Sequence, residues 1–422
     1  MLVTGDNVVK EPGKLPFKNT VYRKVKDSGV KNEVHVHFYD DAGNLLVNQD
    51  CCFSLMGDFS LDMPQKSFKF RAKSKYGAKT FPAALFPDRP YTEYKSFVLR
   101  NSGNDSMWTR LQDGFQSRLI DYYQEYYLDH YADPDKPGYY EESKVARGAW
   151  KPYAVYLNGV YWGNMNLRER TDRYMLAQFE GIPLDEADNM DLLQGNGRLK
   201  FGSTGEWKRM LKKIKAGNPA KNQEDLDYIL ENVDVNNLFE YIGFEMFFGN
   251  SDIGNTRFYR FHTEGSKWKW VLYDVDYGLY NSKFNSPKSF TKEKGMGEKN
   301  VDNTILRKLL SVPEYKDRYL TIYGDIFKAL TCENMLSELE KLVELIKPEM
   351  QLHWARWGEE NDTMVLTEVP TTVDGAYRYW EKRVERLRNV IRLRPTRLWE
   401  MTQDAFNLTD AQMIHYFGEK PS

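Results

Sequence analysis

Two short segments carry side chains of the types and spacing that divalent-metal chemistry uses. In FFGNSDIGNTRFYRF an apolar run ends, and the loop 250 to 255 delivers Asp252 and Asn255 just ahead of a β-rich stretch. A carboxylate at that point can accept or orient the proton of an attacking hydroxyl, and a nearby amide can lend a hard cation a neutral oxygen. Taken alone, Asp252 reads as a residue that ends a helix and caps a turn. The second segment, WKWVLYDVDYG, changes that balance. As a strand it would place Trp270, Leu272, Asp274 and Asp276 on one face, an apolar row ending in two carboxylates about 7 Å apart. Like charges at the end of a buried strand repel, and a bound divalent cation is the simplest compensation. The plainer alternative leaves one aspartate solvated and has the other cap the turn before Gly278. A lone D-x-D is common; one that closes an apolar strand after an Asp-x-x-Asn loop is more specific.

Lys66 is the third element. The stretch KSFKFRA (66 to 72) alternates, so Lys66 shares a face with Phe68 and Phe70 while Lys69 and Arg71 point the other way. A lysine on an apolar face is costly unless an anion meets it, and an ATP phosphate together with a carboxylate would do so. Snorkelling to the sheet edge is the alternative. The carboxylate partner is either Glu169, just after a hairpin, or an acid such as Asp113 on a helix expected over 106 to 127; the sequence does not choose. No G-x-G-x-x-G or Walker loop is present, and only MGDFS (56 to 60) lies ahead of Lys66 to cradle a phosphate.

The elements that must position these groups are legible from periodicity. VHVHFYD, the turn DAGN and LLVNQDCCFSL read as an antiparallel hairpin. His35 and His37 share a face there, but with no third ligand nearby they read as solvated or core-edge residues. Trp108, Leu111, Phe115, Leu119 and Tyr122 recur at helical spacing over 106 to 127, with Asp105 as the expected N-cap. A polar linker, 133 to 144, leads to YAVYLNGVYWG, whose Asn158-Gly159 is a strong hairpin signal. From Leu167 onward the reading is mainly helical, with helix ends expected at Gly181 and Gly249. A second hairpin, TRFYRFHTEG with KWKWVLYDVDYG, interrupts the helices, which dominate from 302 onward. The expected class is α+β, with an N-terminal extension (1 to 32), a β-rich lobe (33 to 165) and a mainly helical lobe (166 to 422) that carries the acidic loop and the D-x-D.

Composition narrows the function. The 422 residues are 41% apolar and 14% aromatic, enough for a substantial core without staples. The 59 basic and 61 acidic side chains leave a net charge of -2, so no global field favours nucleic acid or an anionic membrane. No apolar run approaches the roughly 18 residues of a membrane span, and no basic-then-apolar leader opens the chain. A polar start after Met is also what removal of a signal sequence would leave. Three cysteines, Cys51, Cys52 and Cys332, cannot form a disulfide framework or a thiolate cage and read as buried small hydrophobes.

In order along the chain, QKSFKF, YLNGVYWGNMNLRE, GNSDIGNTRFYR and YDVDYG resemble the CotH family of bacterial spore-coat and secreted protein kinases. The likeness runs from about 34 to 408 and includes VLRNSGND, IKPEMQLHWARW and YWEKRVERLRNVIRLRP. It implies an atypical, minimal protein-kinase-like fold that phosphorylates Ser or Thr hydroxyls of a protein substrate with ATP and Mg²⁺ or Mn²⁺, outside the cytoplasm or at the cell envelope or spore surface. By matching motif, Lys66 looks like the phosphate-binding lysine, Asp252 the catalytic aspartate, and Asp274 with Asp276 the metal ligands. Asn255 looks like the loop asparagine that serves nucleotide and metal, although ordinary protein kinases separate that pair by five positions rather than three. Glu169 is placed in the nucleotide pocket by its position in NLRE.

The stretch NSKFNSPKSFTKEKGMGEKN (281 to 300) has the position of an activation segment, expected to border the acceptor hydroxyl and to offer Ser282, Ser286 and Ser289 for self-phosphorylation; solvated disorder is its alternative. Two rival functions stand beside the kinase. A D-x-D glycosyltransferase would suit the 10 Trp and 28 Tyr but has no need of Lys66. A coat-like interaction protein would keep the fold with little turnover. Glycoside hydrolysis is weaker, since no carboxylate pair on separate elements is fixed. The sequence does not give the oligomeric state.

Overall fold

Period-two patterning at the start of the chain and period-3.6 patterning later produce an α+β fold, with most strands early and most helices late. The computed structural model describes residues 21–61, 63–131, 133, 144–358 and 369–421. Most of the expected extension and of the 133 to 144 linker lies outside them. The strands are β1 (Asn32–Tyr39), β2 (Leu45–Met56), β3 (Ser67–Arg71), β4 (Phe81–Pro82), β5 (Glu93–Tyr94), β6 (Ser96–Arg100) and β7 (Ala146–Arg147). They continue as β8 (Trp150–Leu157), β9 (Val160–Glu169), β10 (Met190–Gln194), β11 (Arg198–Phe201), β12 (Arg257–Phe261) and β13 (Lys269–Leu272). The helices are α1 (Val21–Asp27), α2 (Gln112–Tyr131), α3 (Arg173–Phe179), α4 (Gly205–Ala216), α5 (Gln223–Asn232) and α6 (Val235–Phe248). After them come α7 (Ser286–Thr291), α8 (Thr304–Leu310), α9 (Pro313–Ala329), α10 (Cys332–Trp357), α11 (Val373–Phe406) and α12 (Asp410–Phe417).

The described residues fall into two compact units. One comprises those within Met1–Gly114, Gly148–Gln178 and Lys341–Arg386, and the other those within Phe115–Arg147, Phe179–Glu340 and Leu387–Ser422.

In the first unit, six antiparallel strands run in the order β1-β2-β3-β6-β9-β8. Phe68 faces Leu55 on one side and Leu99 on the other, while Phe70 lies between Phe53 and Phe97. These side chains make one apolar layer, in which the Phe70 and Phe97 rings stack at 5.0 Å. Each phenyl ring so buried contributes about 1.5–3 kcal/mol. Asn158 and Gly159 turn β8 into β9 with φ of 50° and 79°, the paired positive values a two-residue hairpin turn demands. Leu167 to Glu169 belong to β9 rather than to the helix read from Leu167, because Leu167 pairs with Leu99 at the centre of the sheet. The helix expected from 106 begins instead at Gln112, after a tight turn through Arg110 with φ 65°. Asp105 still caps it, its carboxylate accepting the Gln112 backbone N–H at 2.9 Å.

The second unit has a mixed sheet, β11-β10-β12-β13-β7, with β7 parallel to β13. Helix α6 is mainly apolar, and all its residues except Asn236 are buried, as in a core helix. It stops at Gly249, as expected, in the left-handed conformation at φ 63°. Arg394 of α11, fully buried, donates to the carbonyls of Met246 and Phe247 at 2.8 and 3.0 Å, satisfying acceptors that the helix end leaves open.

Cys51 and Cys52 are buried as expected, whereas Cys332 is half-buried; all three are free thiols. Among the described residues no helix is long and apolar enough to cross a membrane.

Candidate active site

The turn at Gly249 sends the chain from the buried end of α6 into the polar loop. Asn250 is buried, and its side-chain oxygen accepts the Asp252 backbone N–H at 3.1 Å. The Asn255 and Thr256 amides then bond back to the carbonyls of Asp252 and Ile253, at 3.2 and 3.0 Å, which closes a single tight turn. Thr256 secures the far side, donating to the Ile253 carbonyl and accepting from the Tyr241 hydroxyl of α6 at 3.1 Å. The loop is thereby held by its own backbone and by the helix beneath it.

The D-x-D arrives differently from the expected strand. Strand β13 ends at Leu272, and Asp274 takes the left-handed conformation at φ 59°, so the aspartates do not continue the face of Trp270 and Leu272. A non-glycine residue there is strained, and Asp tolerates it better than most. Asp276 follows, buried, at the start of a turn that Gln116 of α2 fastens by donating to the carbonyls of Val275 and Gly278 at 2.9 and 3.1 Å.

Asn255 joins the two segments. Its amide nitrogen donates to Asp252 Oδ2 at 2.9 Å and to Asp274 Oδ2 at 2.8 Å, while its oxygen accepts from Gln194 Nε2 of β10 at 3.0 Å. The second oxygen of Asp252 meets the ammonium of Lys299 at 2.6 Å. Two carboxylates therefore converge on one polar N–H₂ group, with a lysine beside them. Among the described residues no group of three or more His, Cys, Asp or Glu side chains gathers as a metal cage. Asp252 and Asp274 are the grouped residues with carboxylate oxygens for a hard cation, while Asn255 turns its nitrogen toward them and its oxygen toward Gln194.

The family model described as CotH kinase protein matches residues 53–398. The chain belongs to the CotH family. No curated protein matches it. The CotH match spans every expected site residue, from Lys66 to Asp276.

In this CotH protein Lys66 lies one residue ahead of β3, buried, with its ammonium 4.3 Å from the centre of the Tyr22 ring and donating to the Met63 carbonyl. Cation–π contact is one way a buried ammonium is accommodated. The two acids considered for it both bind arginine. Glu169 accepts from Arg89 Nε at 2.7 Å, from the Tyr91 hydroxyl and from the Ala149 backbone N–H at 2.9 Å. Asp113 pairs with Arg100 at 2.6 Å and with Arg168. None of these three arginine pairings is local, so none is legible from spacing.

Two further residues beside the Asp252 loop escape the motif reading. Glu245 of α6 is fully buried beneath the loop, hydrogen-bonded to Asn250 and Tyr241. Burial, reinforced by the charges of Asp252 and Asp274, pushes its carboxyl up to about 8 against those hydrogen bonds, so it holds a proton at neutral pH. The signal for it was an acid inside an apolar helix. Lys299 had no such signal.

The 281 to 300 stretch is ordered, with α7, a bridge between Met296 and Val301, and Lys299 reaching Asp252. Ser286 is buried between the Met246 carbonyl and Arg394, Ser282 is buried against Arg397, and Ser289 is partly exposed.

Proposed function

We propose that this CotH protein is an exported ATP-dependent kinase that transfers the γ-phosphate to Ser or Thr hydroxyls of a protein substrate. The observation that carries the reading is the Asn255 amide, which holds Asp252 and Asp274 together inside the family match. Asp252 is the group to receive the hydroxyl proton, since it lies on the surface side of the loop with its side chain a quarter exposed. By motif order Asp274 and Asp276, with Asn255, would hold Mg²⁺ or Mn²⁺, a cation that takes one or two carboxylates and completes its shell with phosphate oxygens and water. The bound cation would offset charge on the phosphates. Lys66 is assigned a phosphate contact, and Glu169 a place in the nucleotide pocket, on motif order.

Transfer of labelled γ-phosphate to dephosphorylated casein tests this, comparing wild type with Asp252→Ala and Asp274→Ala in Mg²⁺ and Mn²⁺. Both changes should abolish transfer, and Asp274→Ala should also weaken metal-dependent nucleotide binding. Undiminished transfer by either variant refutes the assignment. A second reading, an interaction protein with little turnover, is favoured by one observation, that both oxygens of Asp252 are already engaged. ATP binding without transfer would mark it.

A further inference from the structure

The two partners of Asp252 are held in different ways. Asn255 is fixed among Asp252, Asp274 and Gln194. Lys299 has a side chain that is 65% exposed, on a flexible four-carbon stem. The backbone that carries it is firmly built. Met296 and Val301 exchange two hydrogen bonds of 2.7 and 2.9 Å, closing a tight loop that contains Gly297 and follows Gly295, with φ of 64° and 104°. Lys292 donates to the Gly297 carbonyl at 2.6 Å, and the Asn196 side chain holds the Asn300 carbonyl at 3.3 Å and the Asp302 N–H at 2.7 Å.

Two absent side chains let this loop close on the Asp252 loop. A Cβ on Gly297 would lie 2.6 Å from Ile253 Cγ2, and one on Gly254 would overlap Lys299 Cδ. The bare Gly254 thus supplies the track along which the lysine stem runs to the carboxylate. An exposed ion pair adds little to stability, so folding energy does not account for so deliberate a placement.

We infer that Lys299 is a phosphoryl-binding residue that rests on Asp252 until the nucleotide arrives; the inference rests on the kinase reading above. A γ-phosphate carries more charge and more acceptor oxygens than one carboxylate, and it draws the ammonium away. Oδ1 of Asp252 is then open to the acceptor hydroxyl. The hydroxyl oxygen forms a bond to the γ-phosphorus as its proton passes to Oδ1. The bond from that phosphorus to the β–γ bridging oxygen breaks, and its electron pair leaves with ADP. Lys299 stays on the transferring group and offsets its charge.

The test uses the full chain with ATP, Mn²⁺ and dephosphorylated casein. Lys299→Met should lower kcat by about 10²-fold, the scale for removing one charge-stabilising donor. The KM for ATP should change by less than about three-fold, the pattern of an interaction made mainly in the transition state. Lys299→Arg should retain activity within about ten-fold of wild type, because the positive charge remains. Gly254→Ala, which crowds the lysine stem on its resting track, should lose less than Lys299→Ala, and the double variant should lose no more than Lys299→Ala. Thermal unfolding and the far-ultraviolet circular-dichroism spectrum, unchanged across the set, exclude misfolding as the cause. Undiminished or faster turnover by Lys299→Met overturns the inference, as do additive losses in the double variant. A wild type that binds ATP but transfers nothing overturns the kinase reading, and the inference with it.

Discussion

Asn255 Nδ2 and Asp274 Oδ2 lie 2.8 Å apart across 19 residues of chain, and their hydrogen bond ties the loop after α6 to the turn after β13. The same nitrogen donates to Asp252, so one amide stands where two carboxylates would otherwise repel. Asn255→Ala removes both bonds. Hydrogen bonds to charged groups are worth about 1.5–3 kcal/mol, and partial exposure here puts the expected loss toward the lower figure. Urea denaturation should show that loss, and phosphate transfer should fall well beyond it. A variant with wild-type stability and transfer would show that the amide joins nothing that matters.

Glu245 should give the fold a distinctive pH dependence. Its carboxyl titrates near 8 when folded, against an ordinary value of 4.5, so the native state keeps a proton that the unfolded chain gives up. The contribution is therefore fully present below about pH 4.5 and is lost as pH rises toward 8. Glu245→Gln removes this dependence. Relative to wild type the variant should gain stability steadily across that window and level off above it, as measured by denaturation at several pH values. A constant difference across the window would mean that the carboxyl is ionised in the fold.

Among the described residues no carboxylate pairs with the buried Arg394, which spends its donors on the carbonyls of Met246, Phe247 and Phe284 and on the Ser286 hydroxyl. Arg394→Met leaves those acceptors unmet and should cost about 3–5 kcal/mol. Lysine cannot reproduce the fork, so Arg394→Lys should recover only a small part. A loss below about 1 kcal/mol for the methionine variant would mean that water replaces the guanidinium.

The same burial bears on self-modification. After incubation with ATP and Mn²⁺, any phosphate on the serines of the 281 to 300 stretch should lie on the partly exposed Ser289 and not on Ser282 or Ser286, which are buried against arginines. Tandem mass spectrometry of the folded protein locates it. Phosphate on Ser286 would show that α7 opens during the reaction.

Lys66→Met should separate binding from folding. The methionine keeps an apolar stem near the Tyr22 ring, so thermal stability should change little, while affinity for ATP should fall by about ten-fold or more. Unchanged ATP affinity would remove Lys66 from the nucleotide site.

What the sequence determined by itself was local. Alternation at Phe68 and Phe70, positive-φ residues at Asn158 and Gly159, and the glycine that stops α6 each follow from backbone geometry that a few neighbouring residues impose. The Asp252 loop was legible for the same reason. Periodicity overran its evidence at WKWVLYDVDYG, where the pattern suits a strand but Asp274 adopts φ 59° and the chain turns away. Tertiary structure alone decided which distant groups meet. Glu169 finds Arg89 across 80 residues, and Lys299 reaches Asp252 across 47, on a stem that passes over Gly254. It also decided that 341–386 joins the unit built around the first sheet. Dihedral preferences and apolar periods act over one or two turns of chain, whereas pairing of charges depends on how loops from separate elements close on one another. For that reason Asp252, Asn255 and Asp274, which the fold brings together, could be picked out from their own segments, and the lysine lying on Asp252 could not.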